Sequence, residues 1–485
     1  MYLGIDLGTG SVKASLLDGG LQAVSEASRR YTNAAPRPGW AEIDPEQWWQ
    51  ATVEAVRECV GDRGRDVAAI GLSGQSHGLV LVDDNGEAVR PAMLWYDGRS
   101  HAEVETLRAL PAALRERLGN PLVTGMTAAN LLWVRNHEPE VLQRATHALC
   151  AKDWLRLRLT GDIAMEPADA STTLLYDVVE DGWAMPVMRE LGLPEALLPP
   201  LVPSAARAGE LKVPAASALG LTPGLPVAAG AADAAASLLG LGLTRPGQTV
   251  LQVGTGMQIM AVSEETFAEP DPRCNTFRTA GKAWFHVAAM QNGGTALQWA
   301  MESLACDQDE LYALAFEQAE RDADVLFLPY VTGERTPLLD PHAAGAWTGL
   351  RVGNGRAEMA RAVFEGIAFS VKDGWNALRD RIDAGDGLLL TGGGTADPRW
   401  RQLLADTLET PLAVSPTPAS AGRGAALLGA VAAGYVESVE DLPGPEAPTE
   451  EVRPNPSETL RRKFARFRET YRALRGVQRA ATESP

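Results

Sequence analysis

Short apolar runs that end on small or acidic residues recur along the chain, and stretches of helical periodicity lie between them. Tyr2 to Leu7 and Ser11 to Leu17 flank Gly8-Thr9-Gly10, so residues 2–18 predict a β-hairpin. Val24 to Tyr31 predicts a third strand. Pro45 to Val60 predicts a helix, with Asp44 as its N-cap and Pro45 in its first position. Val67 to Ser73 is apolar throughout and predicts a buried strand. Val80 to Val82 and Ala88 to Leu94 predict a hairpin around Asp83-Asp84-Asn85-Gly86. Helical patterns dominate from His101 to Leu159. Pro226 to Ala232 predicts a strand that ends at Asp233, and a small-residue helix, Ala234 to Leu241, follows.

The second half echoes the first. A hairpin is predicted over 249–262, around Gly254-Thr255-Gly256, then a strand over 284–290 and a helix over 294–304. A helix from Arg356 to Ala377 precedes a strand, Gly387 to Leu390, that runs into Thr391-Gly392-Gly393-Gly394. Residues 398–407 predict a helix, Leu412 to Val414 a strand and Ala421 to Gly434 an Ala-rich helix. The Pro/Glu-rich stretch from Glu437 to Pro456 predicts loop, and Ser457 to Ala480 a charged amphipathic helix. Strands alternating with helices indicate an α/β fold whose sheets are covered on both faces. At 485 residues the chain is too long for one core. The expected division is a domain over 1–243 and a second over 244–485.

The two Gly-Thr-Gly turns sit at matching places in the two halves. A turn with few side chains lets backbone N–H groups approach a phosphate closely. One such turn alone is equally a tight turn and nothing more or a phosphate cradle; the duplication favours two domains serving one polyphosphate. Neither turn is a Walker A loop, because no Gly-Lys-Ser/Thr follows. Neither is a dinucleotide fingerprint, because a strand rather than a helix comes next.

A net charge of −18 argues against nucleic acid, which needs lysine and arginine stripes, but is compatible with a nucleotide held at a local site. The four cysteines are scattered without metal-ligand spacing, as in a reducing compartment. No apolar run approaches the roughly 18 residues of a membrane span, and Asp6 interrupts any reading of the first residues as a signal peptide. The expectation is a soluble cytoplasmic protein without nucleic-acid or membrane partners.

Four places could carry chemistry. Asp6 adjoins the first phosphate turn, where a carboxylate needs a cation such as Mg²⁺ beside phosphate; its plainer role is to bond the turn backbone. Asp233 closes an apolar strand at the start of a helix, where α/β folds place their sites. It could take a proton from a substrate hydroxyl, or simply cap the helix. Gly392-Gly393-Gly394 offers bare backbone to a flat ring, or serves a loop that needs positive φ. Gln75-Ser76-His77, with Trp95 and Asp97 from Trp95-Tyr96-Asp97-Gly98-Arg99, provides donors, acceptors and an aromatic face that suit a sugar or polyol.

These residues, and several longer runs, resemble the FGGY family of carbohydrate kinases along the whole chain. The matching runs are Tyr2 to Lys13, Pro38 to Pro45 with Trp48-Trp49, Gly74 to Gly78, Leu94 to Arg99, Lys152 to Leu155, Gly333 to Pro337, Gly345 to Glu365 and Gly392-Gly393-Gly394. The resemblance implies two ribonuclease-H-like domains of the actin and hexokinase type flanking a catalytic cleft, with sugar on the N-terminal side and nucleotide on the C-terminal side. It implies transfer of the γ-phosphoryl of ATP, with Mg²⁺, to a primary hydroxyl of a ketopentose, D-xylulose first. Asp233 would be the base and Asp6 the Mg²⁺-associated carboxylate, with Asp233 also near the metal. Gly8, Thr9, Lys13, Gly254 and Thr255 would face the phosphates. Gly294, Gly393, Gly394 and Asp397 would face the adenosine. Gln75, Ser76, His77, Trp95, Asp97 and Asp233 would face the sugar.

Three residues depart from the ketopentose branch of the family: Ala234 for a usual Asn, Ser76 for a frequent Met, and Asn130 for a Lys. They leave open another ketose or polyol (ribulose, another pentulose, a glycerol-like substrate) or a non-catalytic sugar sensor. Oligomeric state is open too, a homodimer included.

Overall fold

The computed structural model describes the whole chain except residues 320–322, 384, 386, 419 and 483–485. By contact, the chain divides into two compact units that are discontinuous in sequence. Met1–Arg245, Glu264–Phe285 and Ala419–Pro445 form the first. Pro246–Ser263, His286–Pro418 and Glu446–Pro485 form the second. A single cut after residue 243 therefore does not describe the packing, although it separates the two hairpins.

The sheet of the first unit is built outward from the predicted hairpin. Tyr2–Leu7 pairs antiparallel with Ser11–Leu17, which pairs with Ala23–Arg30. On the other side Tyr2–Leu7 pairs parallel with Ala69–Gly74, which is followed in the sheet by Pro226–Ala228 and Arg207–Glu210. Leu3, Ile5, Leu7, Val12, Ile70 and Leu72 are completely buried in its core.

One face of this sheet is covered by the helix Pro45–Val60, whose Asp44 cap accepts the N–H of Glu46 as the sequence predicts. The other is covered by the helix Ala421–Ala432. That helix lies against the sheet because both surfaces are glycine-rich. A β-carbon on Gly71 would stand 1.7 Å from the carbonyl oxygen of Ala425, and one on Gly4 would stand 2.0 Å from that of Gly422. Backbone meets backbone here, and no side chain fits between.

The strand predicted over 226–232 is broken. Pro226–Ala228 and Ala231–Ala232 pair separately with Ala69–Gly74, and Gly230 between them has φ 99°. The hairpin predicted around Asp83–Gly86 is only partial. The turn forms and Val82 bridges Ala88, but Val80–Val82 takes its ladder partner from His147–Leu149, a strand the periodicity misses.

The sheet of the second unit repeats the plan. Thr249–Val253 pairs antiparallel with Met257–Ser263 and parallel with Leu388–Thr391, which leads to Leu412–Val414 and Glu450–Val452. The last strand lies inside the segment predicted as loop. The long helix Arg356–Arg379 is buried along most of its length, and the C-terminal helix Glu458–Thr482 is tied to it by Lys463, which pairs with the buried Glu365 at 2.7 Å. Among the described residues no helix is long and apolar enough to cross a membrane.

Candidate active site

In the first unit the ladder register assembles the site. Asp6 stands opposite Lys13 on one side and Ser73 on the other, and Ser73 stands opposite Ala231. Side chains opposite one another share a face, and so does the residue two further on. Asp6, Ser73, Gln75 and Asp233 therefore collect at the carboxyl ends of adjacent strands. Asp233 follows the short strand Ala231–Ala232 directly and is the first residue of the helix Asp233–Gly240.

Asp233 Oδ1 accepts the N–H of Ala234 at 2.8 Å and the hydroxyl of Ser76 at 3.1 Å. Burial raises its pKa above the usual carboxylate value, and these two donors partly offset the rise. A carboxylate so treated is a stronger base than one in water. Asp6 is raised to about 6, by burial first and then by the neighbouring charge of Asp233; Lys13 and the Ser73 hydroxyl oppose this. Yet Asp6 Oδ1 and Ser73 Oγ are both buried without a hydrogen-bond partner of normal geometry, as is Gln75 Oε1. Buried orphan oxygens are costly unless something fills them. Three at one place mark where ligands belong, and a carboxylate oxygen among them suits a cation.

The Gly8-Thr9-Gly10 turn is fixed from behind. Tyr31 donates its hydroxyl to the carbonyl of Gly8, and Asn33 Nδ2 donates to that of Thr9 at 2.8 Å. Trp95 Nε1 donates to Thr9 Oγ1 at 2.9 Å, so Trp95 braces the turn. Asn33 and Tyr31 were invisible as site residues; only the three-strand pairing places them beside the turn.

The other expected sugar residues divide. Gln75 and Ser76 lie beside Asp6 and Asp233, with Gln75 Nε2 on the carbonyl of Gly8 at 3.3 Å and the Ser76 hydroxyl on Asp233. His77 Nδ1 lies 2.8 Å from the carbonyl of Thr172, and its backbone is held at φ 71°. Asp97 does not offer a sugar contact. It is fully buried, with Oδ2 accepting from Ala41 N–H at 2.6 Å and from Arg99 at 2.7 Å, and Oδ1 accepting from Arg99 N–H and Nε at 2.9 Å. A carboxylate with an arginine fork beside it reads as polar in sequence but is consumed by Arg99 and by the distant backbone of Ala41. Asn130 is consumed likewise: it donates to the carbonyl of Gly125 and accepts from Ser100, each at 3.1 Å.

Beneath the strand break lies a buried ionic cluster. Lys152 Nζ is 2.7 Å from Asp153, 2.9 Å from Asp169 and 3.2 Å from Glu166, and Arg156 donates to the carbonyl of Ala229 at 3.0 Å. Cys150, Asp153 and Asp169 bring ligand atoms close enough to hold a metal. The Lys152 ammonium already stands among these carboxylates and takes the place of a cation.

In the second unit, Gly254, Thr255, Gly294, Gly393, Gly394 and Asp397 all line one cavity of about 1170 Å³. Leu297, Met301, Leu311 and Tyr312 give it an apolar wall. Gly392 must be glycine: its φ is 109°, and a β-carbon there would stand 2.2 Å from the carbonyl oxygen of Val253. Gly393 has nothing within 4 Å of such a β-carbon and leaves bare backbone toward the cavity. Asp397 caps the helix Pro398–Leu408 and is gripped by Arg399, which holds its pKa below the usual range. The turn itself is not a copy of the first. Three residues, Gly254–Gly256, separate the paired Val253 and Met257, whereas four separate Leu7 and Val12.

Two sheets of one plan, each with a glycine-rich turn at its leading hairpin, and a carboxylate pair at the strand ends of the first, suit an enzyme that transfers phosphoryl groups. The N-terminal domain of the FGGY family of carbohydrate kinases matches residues 1–240 and its C-terminal domain matches residues 249–433, so the chain belongs to this family. It is an ATP-dependent carbohydrate kinase. It is 37% identical over 410 residues to the xylulose kinase of Escherichia coli, with 84% of each chain covered. It resembles the crystal structure of a xyloylose kinase from Brucella ovis with a TM-score of 0.92 and 32% identity, over 98% of this chain and 99% of that one. Xylulose kinase from Rhodospirillum rubrum gives 0.90 and 29%, over 99% of each chain.

Proposed function

We propose that this kinase phosphorylates a primary hydroxyl of D-xylulose, with Asp233 as the base. The observation that carries the reading is Asp233 itself: a carboxylate of raised pKa at a strand end, beside buried acceptors that lack partners. The kinship to xylulose kinases over most of the chain supports the choice of sugar.

The chain's own residues do four things. Asp233 accepts the hydroxyl proton as the oxygen attacks the γ-phosphorus of ATP, and ADP leaves as the bond from that phosphorus to the β–γ bridging oxygen breaks. Gln75, through its unpartnered Oε1, accepts a hydrogen bond from a sugar hydroxyl. The backbones of Gly8-Thr9 and Gly254-Thr255 receive the phosphates. The cavity bounded by Gly294 and Gly393-Gly394 takes the adenosine. Asp6 Oδ1, buried and without a partner, fits a Mg²⁺ ligand, with Asp233 near enough to share the ion's field. Such an ion would neutralise phosphate charge as transfer proceeds. Phosphoryl transfer of this kind is mostly positioning and charge stabilisation.

A panel of ketoses and polyols in a coupled ADP-release assay tests the reading. D-xylulose should give the highest kcat/KM. A tenfold preference for another ketose or for a polyol would transfer the assignment to that substrate, and ATP turnover indifferent to every sugar would end it.

A further inference from the structure

The run Gly333-Glu334-Arg335-Thr336-Pro337 has no part in the reading above, although its acidic residue is almost wholly buried. Glu334 is 2% exposed. Its Oε1 accepts the N–H of Gln291 at 2.7 Å and of Arg335 at 2.8 Å; its Oε2 lies 3.4 Å from both Asn292 Nδ2 and Ser370 Oγ. Asn292, itself fully buried, returns the grip: Nδ2 donates to the carbonyl of Gly333 at 2.7 Å, and Oδ1 accepts from the Thr332 hydroxyl at 3.0 Å. The two loops are thus stapled in both directions.

The next two residues, Gly293 and Gly294, carry this to the phosphate turn. Gly294 N–H donates to the carbonyl of Gly254 at 2.8 Å, and Thr295 N–H to that of Thr255 at 3.1 Å. A β-carbon on Gly293 would stand 2.9 Å from the Gly254 carbonyl oxygen. The turn therefore rests on a surface whose height is set by Gln291 and Asn292. A buried carboxylate is an expensive way to hold a loop. Such an outlay is expected where a misplacement of about 1 Å matters to function.

We propose that Glu334 is a positioning residue for the polyphosphate of the nucleotide, acting through Gln291–Gly294 on the backbone of Gly254-Thr255. This rests on reading that turn as a phosphate site. The consequence is a split by ligand. ADP uses both the turn and the apolar wall, whereas adenosine uses only the wall.

The test is calorimetric titration of ADP and of adenosine into wild type, Glu334→Gln and Thr255→Glu, with thermal melts of each. Glu334→Gln keeps the size of the side chain but presents an amide where acceptors are needed. It should weaken ADP by roughly 3- to 10-fold, about the worth of one hydrogen bond, and leave adenosine within twofold. KM for ATP should rise in step, with KM for the sugar unchanged. Equal weakening of ADP and adenosine would reduce Glu334 to general support of the unit and overturn the proposal; so would unchanged ADP binding in a folded variant. Thr255→Glu separates the underlying reading. Thr255 is exposed, so the substitution is compatible with folding, and its charge should expel ADP but not adenosine. If ADP still binds it normally, the phosphate turn is misassigned, whatever Glu334→Gln does.

Discussion

Asp233 is where single atoms decide the outcome. Asp233→Asn keeps the shape and the bond from Ala234 N–H but removes the base. Turnover should fall by roughly 10²–10⁴, the usual worth of a positioned general base, with ADP binding unchanged by calorimetry. Asp6→Ala should raise the Mg²⁺ concentration needed for half-maximal rate, read from a metal titration at fixed ATP, since the orphaned Oδ1 is lost. Ala234 adjoins Asp233 and is partly exposed. Ala234→Asn should change KM for the true sugar by about 2- to 13-fold, the range for one neutral hydrogen bond. Tightening of D-xylulose would favour it as the natural substrate; weakening would favour a reshaped pocket. The sequence made Asp6 and Asp233 visible because each is a lone carboxylate at the end of an apolar strand, although turn bonding or helix capping would account for either one locally. It could not separate Gln75, which keeps an unpartnered oxygen, from Asp97, which has none. That distinction depends on Arg99 and Ala41, one a sequence neighbour and the other far along the chain.

Elements were legible where local signals agree. The helix Pro45–Val60 begins and ends where its cap and periodicity place it, and both Gly-Thr-Gly hairpins form. Elements failed where the partner is remote. His147–Leu149 and Glu450–Val452 are three-residue strands that exist because an existing edge receives them. The break at Gly230 was missed because a single glycine inside an apolar run is also compatible with an unbroken strand. The glycines divide in the same way. Gly71→Ala should unfold the first unit at markedly lower temperature, because its β-carbon would overlap the Ala425 carbonyl and the helix Ala421–Ala432 would have to move. Gly10→Ala, with nothing within 4 Å and an ordinary backbone, should leave the melting temperature within about 2 °C. Differential scanning calorimetry of the two variants checks both expectations.

For the whole molecule, acidity couples to stability through Glu334. Burial raises its pKa to about 7 from an ordinary 4.5, and four hydrogen bonds only temper the rise. Because the folded form holds this proton more tightly, the stabilisation is complete below pH 4.5 and is lost as pH climbs toward 7. The loss amounts to about 3 kcal/mol at ~1.4 kcal/mol per pH unit. Denaturant unfolding of wild type and Glu334→Gln at pH 5 and pH 8 should show their difference shifting by that order, wild type losing ground at the higher pH. A parallel shift in both proteins would assign the dependence to other groups.

The two-unit plan was readable from the repeated hairpins, but its weaving was not. The helix Ala421–Ala432 carries no label that assigns it to the first sheet; only its small residues, matched to Gly4 and Gly71, do so. That placement sets an order of birth. At roughly 5–20 residues per second, a ribosome that has finished Arg245 works for about 10 to 40 s more before Ala432 is made. Throughout that interval one face of the first sheet has no cover, and the nascent chain must carry it bare or shield it with something else.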